Sequence, residues 1–449
     1  MTFAARPAYG KARQGIAENT TGQRRVVRTV LGLYTGGVGA MHLTIRTFVA
    51  AATVFAMFAV LPVAPGRATS TQIKVGADVI LEDGEAIHGR RIGLVTHAAG
   101  TTSEGERTMD ALGRAEGLRL TALFAPEHGI EGTYDAGGRV PNGVSRGTPV
   151  FSLYGGAFRP TRQMLARLDV LMVDLQDVGA RPFTYASTMA LVMRAAAAAG
   201  KPVIILDRPN PLGGEIVDGP VLEPQFRSFI GMYPIPYVHG MTLGELAALY
   251  NRAFGINADL TVVPMQGWER TMVWAATGLP WANPSPGLIE PDIAPYYAAT
   301  GPLDGTNLWN GTSTDSRFRV VLASWLDGAA LAERLNRIDL PGVRFTPSAI
   351  PLPGTRNVWR GVRLHVTDPS VFRPTTTTIH ILAEIRRMPG GKLAFRTPRR
   401  GPYLFDLVWG TKQVRLALQR GEPASKIIAS WQPGLERFKK LRESYLLYQ

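Results

Sequence analysis

DVLMVDLQDVGARPFTYASTMALVMRAAAAAGKPVIILD, residues 169–207, decides the fold. DVLMVDLQ (169–176) and PVIILD (202–207) are apolar runs of strand length. Between them, Thr184 to Ala199 is an Ala- and Met-rich helix that stops at Gly200. Two apolar strands joined through a helix are the unit of a parallel sheet covered on both faces. The alternation continues outward. RIGLVT (91–96), LRLTALFA (118–125) and PVFSLY (149–154) read as earlier strands, with a helix ending near Glu116. TLGELAALYNRAF (242–254) is an amphipathic helix whose Thr242 and Glu245 fit a capping box, and LTVVPM (260–265) is a further strand. No GxGxxG or Walker A sequence follows any of these strands. The expectation is an α/β, Rossmann-like parallel-sheet domain over residues 73–322, with no cofactor.

Residues 266–322 are rich in Trp, Pro, Gly and Asn, as loops that carry function often are. From Trp325 the pattern changes. A helix over Gly328–Asn336, a strand GVRLHVTD (361–368), a Thr-rich turn and a helix IHILAEIRRM (379–388) precede a mostly helical end. This predicts a smaller α+β C-terminal domain over 323–449.

The chain of 449 residues has 49 Lys+Arg, 35 Asp+Glu and a formal charge of +14. Half of that excess is local: residues 1–68 hold eight basic residues and one acid, and the remainder carries +7. MHLTIRTFVAAATVFAMFAVLPVAPGRATS (41–70) has the layout of a secretory signal peptide, with small residues at Gly66 and Ala68 before a cleavage site. The other reading of this apolar run is an uncleaved anchor. Residues 1–40 are expected to be a mis-called upstream extension, 41–68 the signal peptide, and the product secreted or periplasmic, with no stable membrane insertion after cleavage. The moderate remaining charge suits an anionic glycan. With no basic helix or RNP-like motif, no nucleic-acid partner is expected. The absence of cysteine excludes disulfides, thiolate metal sites and a Cys nucleophile.

Ligands of open parallel sheets bind beyond the strand C-termini. There this chain places Glu127 and His128, then Asp174, Gln176, Asp177 and Arg181, then Asp207, Arg208 and Asn210. Carboxylates beside Arg, His and Asn suit a polar sugar cleft. Each acid alone also reads as a turn or N-cap residue. Glu127, between Pro126 and the His128-Gly129 pair, is the leading acid/base candidate. A metal held by His128, Asp174 and Asp207 lacks any supporting motif, and none is expected. Tyr154, Tyr185, Trp281 and Trp309 are candidate sugar-facing aromatics.

At these residues the chain resembles the NamZ family of exo-β-N-acetylmuramidases. The matching phrases include GLVTHAAG (93–100), LFAPEHGIEG (123–132), LDRPNPLGG (206–214), HGMTLGELA (239–247), PSPG (284–287) and the C-terminal FDLVWGT with SWQPGLERFKKLRESYLLY. The resemblance spans about residues 73–449. It implies a Rossmann-like catalytic domain, a smaller C-terminal domain and release of N-acetylmuramic acid from the non-reducing end of peptidoglycan-derived glycans. It implies catalytic roles for Glu127 and His128. The family's second acid, the Glu of an EGTN motif, falls on Asp304, followed by Gly305, Thr306 and Asn307. Other departures are His97 for Asn, Glu131 for Arg, Gly287-Leu288-Ile289 after PSP, and Trp309-Asn310-Gly311-Thr312 in place of a Gly-Arg-Gly-Thr stretch. Asp174, Asp177, Arg181, Tyr185, Arg208, Asn210 and Asn307 are expected to bind substrate, an Arg meeting the lactyl carboxylate. Two other readings stand beside this one: a related glycosidase with altered glycan specificity, and a non-catalytic periplasmic glycan-binding protein.

Overall fold

The structure, a computed structural model, describes residues 72–449. The extension and signal peptide expected over 1–68 lie outside the described residues. Seven strands form the first sheet: β1 (Arg91–Thr96), β2 (Arg119–Ala125), β3 (Gly143–Ser145), β4 (Thr148–Ser152), β5 (Val170–Asp174), β6 (Val203–Leu206) and β7 (Leu260–Val263). Their order is β3-β4-β2-β1-β5-β6-β7. All neighbours pair in parallel except the β3–β4 hairpin at the edge.

Strand periodicity explains the two cores. Along β5, Val170 and Met172 join one apolar cluster, while Leu171 and Val173 join the other. On β6, Ile204 and Leu206 face the first cluster and Val203 and Ile205 the second. A strand buried on both faces therefore has no polar alternation, which is why 169–176 and 202–207 read as continuous apolar runs. The helix Tyr185–Ala198 covers one face and is buried almost all round. The helix Leu243–Arg252 starts at the expected capping box: the Thr242 hydroxyl accepts from the Glu245 N–H, and the Glu245 carboxylate accepts from the Thr242 N–H.

The chain leaves β1 toward β2 and β4 on one side, then returns to build β5, β6 and β7 on the other. The order reverses between β1 and β5, so the crevice at a topological switch point opens between their C-terminal ends.

The second sheet is antiparallel, with β8 (Val320–Ala323), β9 (Val343–Pro351) and β10 (Val358–Val366) in the order β8-β10-β9. The helix Gly328–Ile338 packs on it, and the helix Ile293–Thr300 packs on Pro374–Arg387. The division expected between residues 322 and 323 thus cuts β8, and the helix at 293–300 sides with the C-terminal half. Loop composition, which set the expected boundary, does not record pairing with strands still to come. The Thr-rich turn before residue 379 is helix instead. Pro374 occupies its first turn, and Asp218 receives the Thr376 N–H and hydroxyl. Among the described residues no helix is long and apolar enough to cross a membrane.

Candidate active site

Glu127 lies two residues past β2, in the crevice and 6% exposed. Its Oε1 accepts the Gly137 N–H at 2.8 Å, and its Oε2 lies 2.7 Å from the Thr184 hydroxyl. An N–H can only donate, whereas a hydroxyl can donate or accept. Both oxygens of the Glu127 carboxyl are thus held in place. The Tyr154 hydroxyl also faces Glu127. Burial, then that carboxylate's charge and hydrogen bond, raises the tyrosine's pKa above its usual value. Tyr185 is fully buried, and its hydroxyl sits 2.6 Å from the Pro284 carbonyl and 3.2 Å from that of Glu127. It ties the PSPG loop to the Glu127 backbone, so it positions the acid from behind the cleft wall.

His128 has φ 70°, a left-handed conformation unusual for a residue with a side chain. Strain of this kind persists where the surroundings enforce it. Here the His128 Nδ1 donates to the Tyr134 carbonyl at 2.7 Å, and the Tyr134 N–H donates back to the His128 carbonyl at 3.2 Å. A carbonyl only accepts, so Nδ1 carries a proton. Gly129 follows with φ 79°, and a Cβ there would meet the Tyr134 ring at 2.8 Å. The PEHG turn thus requires its glycine.

Asp304 comes from the other half of the molecule, after a short 3-10 turn at Gly301–Leu303. Its side chain reaches solvent, yet much of the surrounding volume is protein. Desolvation by that protein pushes its pKa up to about 6, against the charge of Arg396. Asp304, Glu127 and Asp177, in that order after burial, raise the pKa of Tyr297. The three carboxylates therefore act on one hydroxyl, with Asp304 drawn from the C-terminal half and the other two from the ends of the first sheet's strands. The segment 392–396 is pinned beside Asp304: Asn307 donates to the Lys392 carbonyl at 2.7 Å and accepts the Ala394 N–H at 2.9 Å, and the Arg396 N–H donates to the Gly305 carbonyl at 2.7 Å. Asn307 thus organises the loop, and the exposed Arg396 side chain is the cation it delivers.

Four expected substrate contacts prove structural. The Arg181 guanidinium is buried and donates to the carbonyls of Pro220, Ile235 and Val408, and burial pushes its pKa down to about 10. Arg208 forms a buried two-pronged ion pair with Asp174 and also donates to the Thr101 carbonyl. This removes both Arg208 and Asp174 from substrate binding. Asn210 holds the Met241 carbonyl and the Leu212 N–H. Strand-end position alone does not distinguish a side chain that enters the crevice from one that braces its floor. The Trp309 ring meets that of Trp359 edge-on at 6.0 Å, and the Trp281 indole N–H donates to the Leu288 carbonyl. Asp207, one of the acids of the metal reading, accepts from Thr242, Gly244 and Tyr448.

Asp177 remains in the crevice. Its Oδ2 accepts the Gly179 N–H at 2.8 Å and lies 3.4 Å from His239 Nε2, while Oδ1 is buried without a partner. His97 Nε2 accepts the Gln176 N–H at 3.0 Å, which places the proton on Nδ1; that N–H and the Gln176 Oε1 are likewise buried and unpartnered. Burial, then the charges of Arg208, His128 and Arg107, lowers the His97 pKa well below its usual value and keeps the ring neutral. Asp177, Gln176 and His97 thus group unsatisfied polar atoms beneath the ends of β1 and β5. Sequence reading missed Thr184, Tyr297, His239 and Arg396. Only Thr184 carried a signal, as the residue opening the helix beside β2.

Models of the exo-β-N-acetylmuramidase NamZ match the chain in two parts, the N-terminal domain over residues 92–292 and the C-terminal domain over 295–448. A peptidoglycan β-N-acetylmuramidase NamZ of Bacillus subtilis is 38% identical over 420 residues, which cover 91% of this chain and all of that protein. Two DUF1343 family proteins of Bacteroides fragilis with solved structures each cover 84% of this chain and 99% of their own. One has a TM-score of 0.77 at 34% identity and the other 0.65 at 29%.

Proposed function

The chain belongs to the NamZ family of exo-β-N-acetylmuramidases and is a glycoside hydrolase of peptidoglycan, and we propose that it releases N-acetylmuramic acid from the non-reducing end of peptidoglycan fragments with Glu127 as proton donor. The observation that carries this assignment is the Glu127 carboxyl at the strand-end crevice, held by the Gly137 N–H and the Thr184 hydroxyl. Glycoside cleavage needs protonation of the leaving oxygen and stabilisation of positive charge at the anomeric carbon. Asp304, as a carboxylate across the crevice, supplies negative charge for the second task. His128, with Nδ1 committed to the Tyr134 carbonyl, has Nε2 left to meet a sugar hydroxyl. With Arg181 and Arg208 committed internally, Arg396 is the cation available to the lactyl carboxylate.

The layout of residues 41–68 supports export, to the periplasm or outside the cell. N-terminal sequencing of the exported protein tests this: a mature chain starting near Thr69 is expected, and one retaining residues 1–40 would refute it. The catalytic reading is tested by chromatography and mass spectrometry of N-acetylmuramyl-β-1,4-N-acetylglucosamine incubated with the protein. Free N-acetylmuramic acid is expected. Glu127→Gln should lower kcat on this disaccharide by about 10³-fold, as loss of a general acid does. Full turnover by that variant would remove Glu127 from the chemistry.

A further inference from the structure

Tyr154, whose hydroxyl faces Glu127, has its ring in a second feature. The ring centroid lies 5.5 Å from that of Phe158 and 5.6 Å from that of Phe229, and those two are 4.8 Å apart. The contacts are tilted or edge-on, the arrangement aromatic quadrupoles favour. Tyr154 and Phe158 follow β4, the neighbour of the strand that delivers Glu127. Phe229 comes from a tight turn in which Ser228 and Gly231 exchange backbone hydrogen bonds. Two separate loops thus converge on one aromatic cluster.

The cluster opens to water. Phe158 is 44% exposed, and Tyr154 and Phe229 are half-buried. A contiguous aromatic patch of this kind beside a catalytic group marks a binding surface. Its position identifies the occupant. Glu127 protonates the glycosidic oxygen, and the leaving sugar is attached to that oxygen. In a β-linked N-acetylglucosamine unit the ring substituents are equatorial, so axial C–H bonds line both faces of the ring. Such a flat apolar face packs on aromatic side chains, with its C–H groups toward their electron-rich faces.

We propose that Tyr154, Phe158 and Phe229 form a leaving-side platform on which the N-acetylglucosamine ring stacks as the glycosidic bond breaks. The proposal rests on Glu127 being the proton donor. Exposed Arg159 and Arg227 flank the platform in sequence and give it a cationic rim, suited to the lactyl carboxylate of the next unit in a longer glycan.

The test compares two substrates in the full-length protein and its Phe158→Ala and Phe229→Ala variants. N-acetylmuramyl-β-1,4-N-acetylglucosamine fills the platform; N-acetylmuramyl β-fluoride has a leaving group too small to reach it. Each variant should raise KM for the disaccharide about tenfold and weaken product inhibition by N-acetylglucosamine to a similar degree. Turnover of the fluoride should stay within about twofold of wild type. Equal losses on both substrates would make the cluster a packing feature, and unchanged KM on both would make it a bystander; either result overturns the proposal. If the alanine variants do not fold, Phe158→Leu and Phe229→Leu keep the apolar volume, remove the ring and face the same comparison. A wild-type protein that cleaves neither substrate would instead refute the hydrolase reading.

Discussion

Two carboxylates in the crevice differ in what surrounds them, and each environment has a consequence. Asp304 is raised to about 6 by desolvation. Its charged form is the one that stabilises developing positive charge, so kcat/KM should climb as pH rises through about 6 and the group ionises. Asp304→Asn should lower kcat by about 10²-fold and remove that limb of the pH–rate profile. A variant that keeps the same acid limb would transfer the titration to another group. Asp174, by contrast, is held by Arg208 in a buried pair. Removing one partner of such a pair leaves an uncompensated charge and costs about 3–5 kcal/mol. Arg208→Ala should therefore lower stability by that order in urea unfolding. A variant of unchanged stability with a raised KM would return Arg208 to the substrate.

At the scale of elements, the strand-end acids divide into those that reach into the crevice and those that stitch the scaffold. Asp207, after β6, binds the start of the helix Leu243–Arg252 through Thr242 and Gly244, and the chain end through Tyr448. Burial outweighs these hydrogen bonds and raises its pKa from 3.8 to about 6. A folded-state pKa above the unfolded one means the native protein binds more protons between those values. The resulting stabilisation is complete below about 3.8 and disappears as pH rises through about 6. The shift corresponds to up to roughly 3 kcal/mol. Asp207→Asn should flatten the fall in stability between about pH 4 and 6, measured by chemical denaturation across pH. A wild-type slope preserved in the variant would assign it to other groups.

At the scale of the whole molecule, one apolar cluster runs from the face of the parallel sheet under the helix Tyr185–Ala198 into the antiparallel domain. It includes Val173 and Ile205 on one side and Val321, Leu364, Ile379 and Trp409 on the other. The C-terminal tail then returns to the first domain. The Tyr448 hydroxyl reaches Asp207, the Leu447 N–H donates to Glu245, and the Gln449 carbonyl accepts from Arg270. A shared core and a returning tail make the halves unfold together, so calorimetry of residues 72–449 should show one transition. Deleting residues 446–449 should lower its midpoint. Two resolved transitions in the intact chain would show that the shared cluster does not couple the halves.

The parallel sheet was legible because strands buried on both faces are apolar without interruption, and the segment 169–207 shows two of them around a self-terminating helix. Glu127 and His128 were legible because Pro126 and Gly129 mark a strand-end turn. Local sequence also determined the capping box at Thr242. Tertiary structure alone decided which polar side chains face the crevice. Arg181, Arg208 and Asn210 occupy the same kind of position as Asp177, yet their partners are carbonyls, amides and a carboxylate supplied from elsewhere, from Val408 for Arg181 and Thr101 for Arg208. Asp304 and Glu127 both act on Tyr297 only through packing of the second domain, and Phe229 reaches Tyr154 only through a distant turn. Hydrogen bonding and stacking act over a few ångströms between residues tens to hundreds of positions apart, and no local pattern records that proximity.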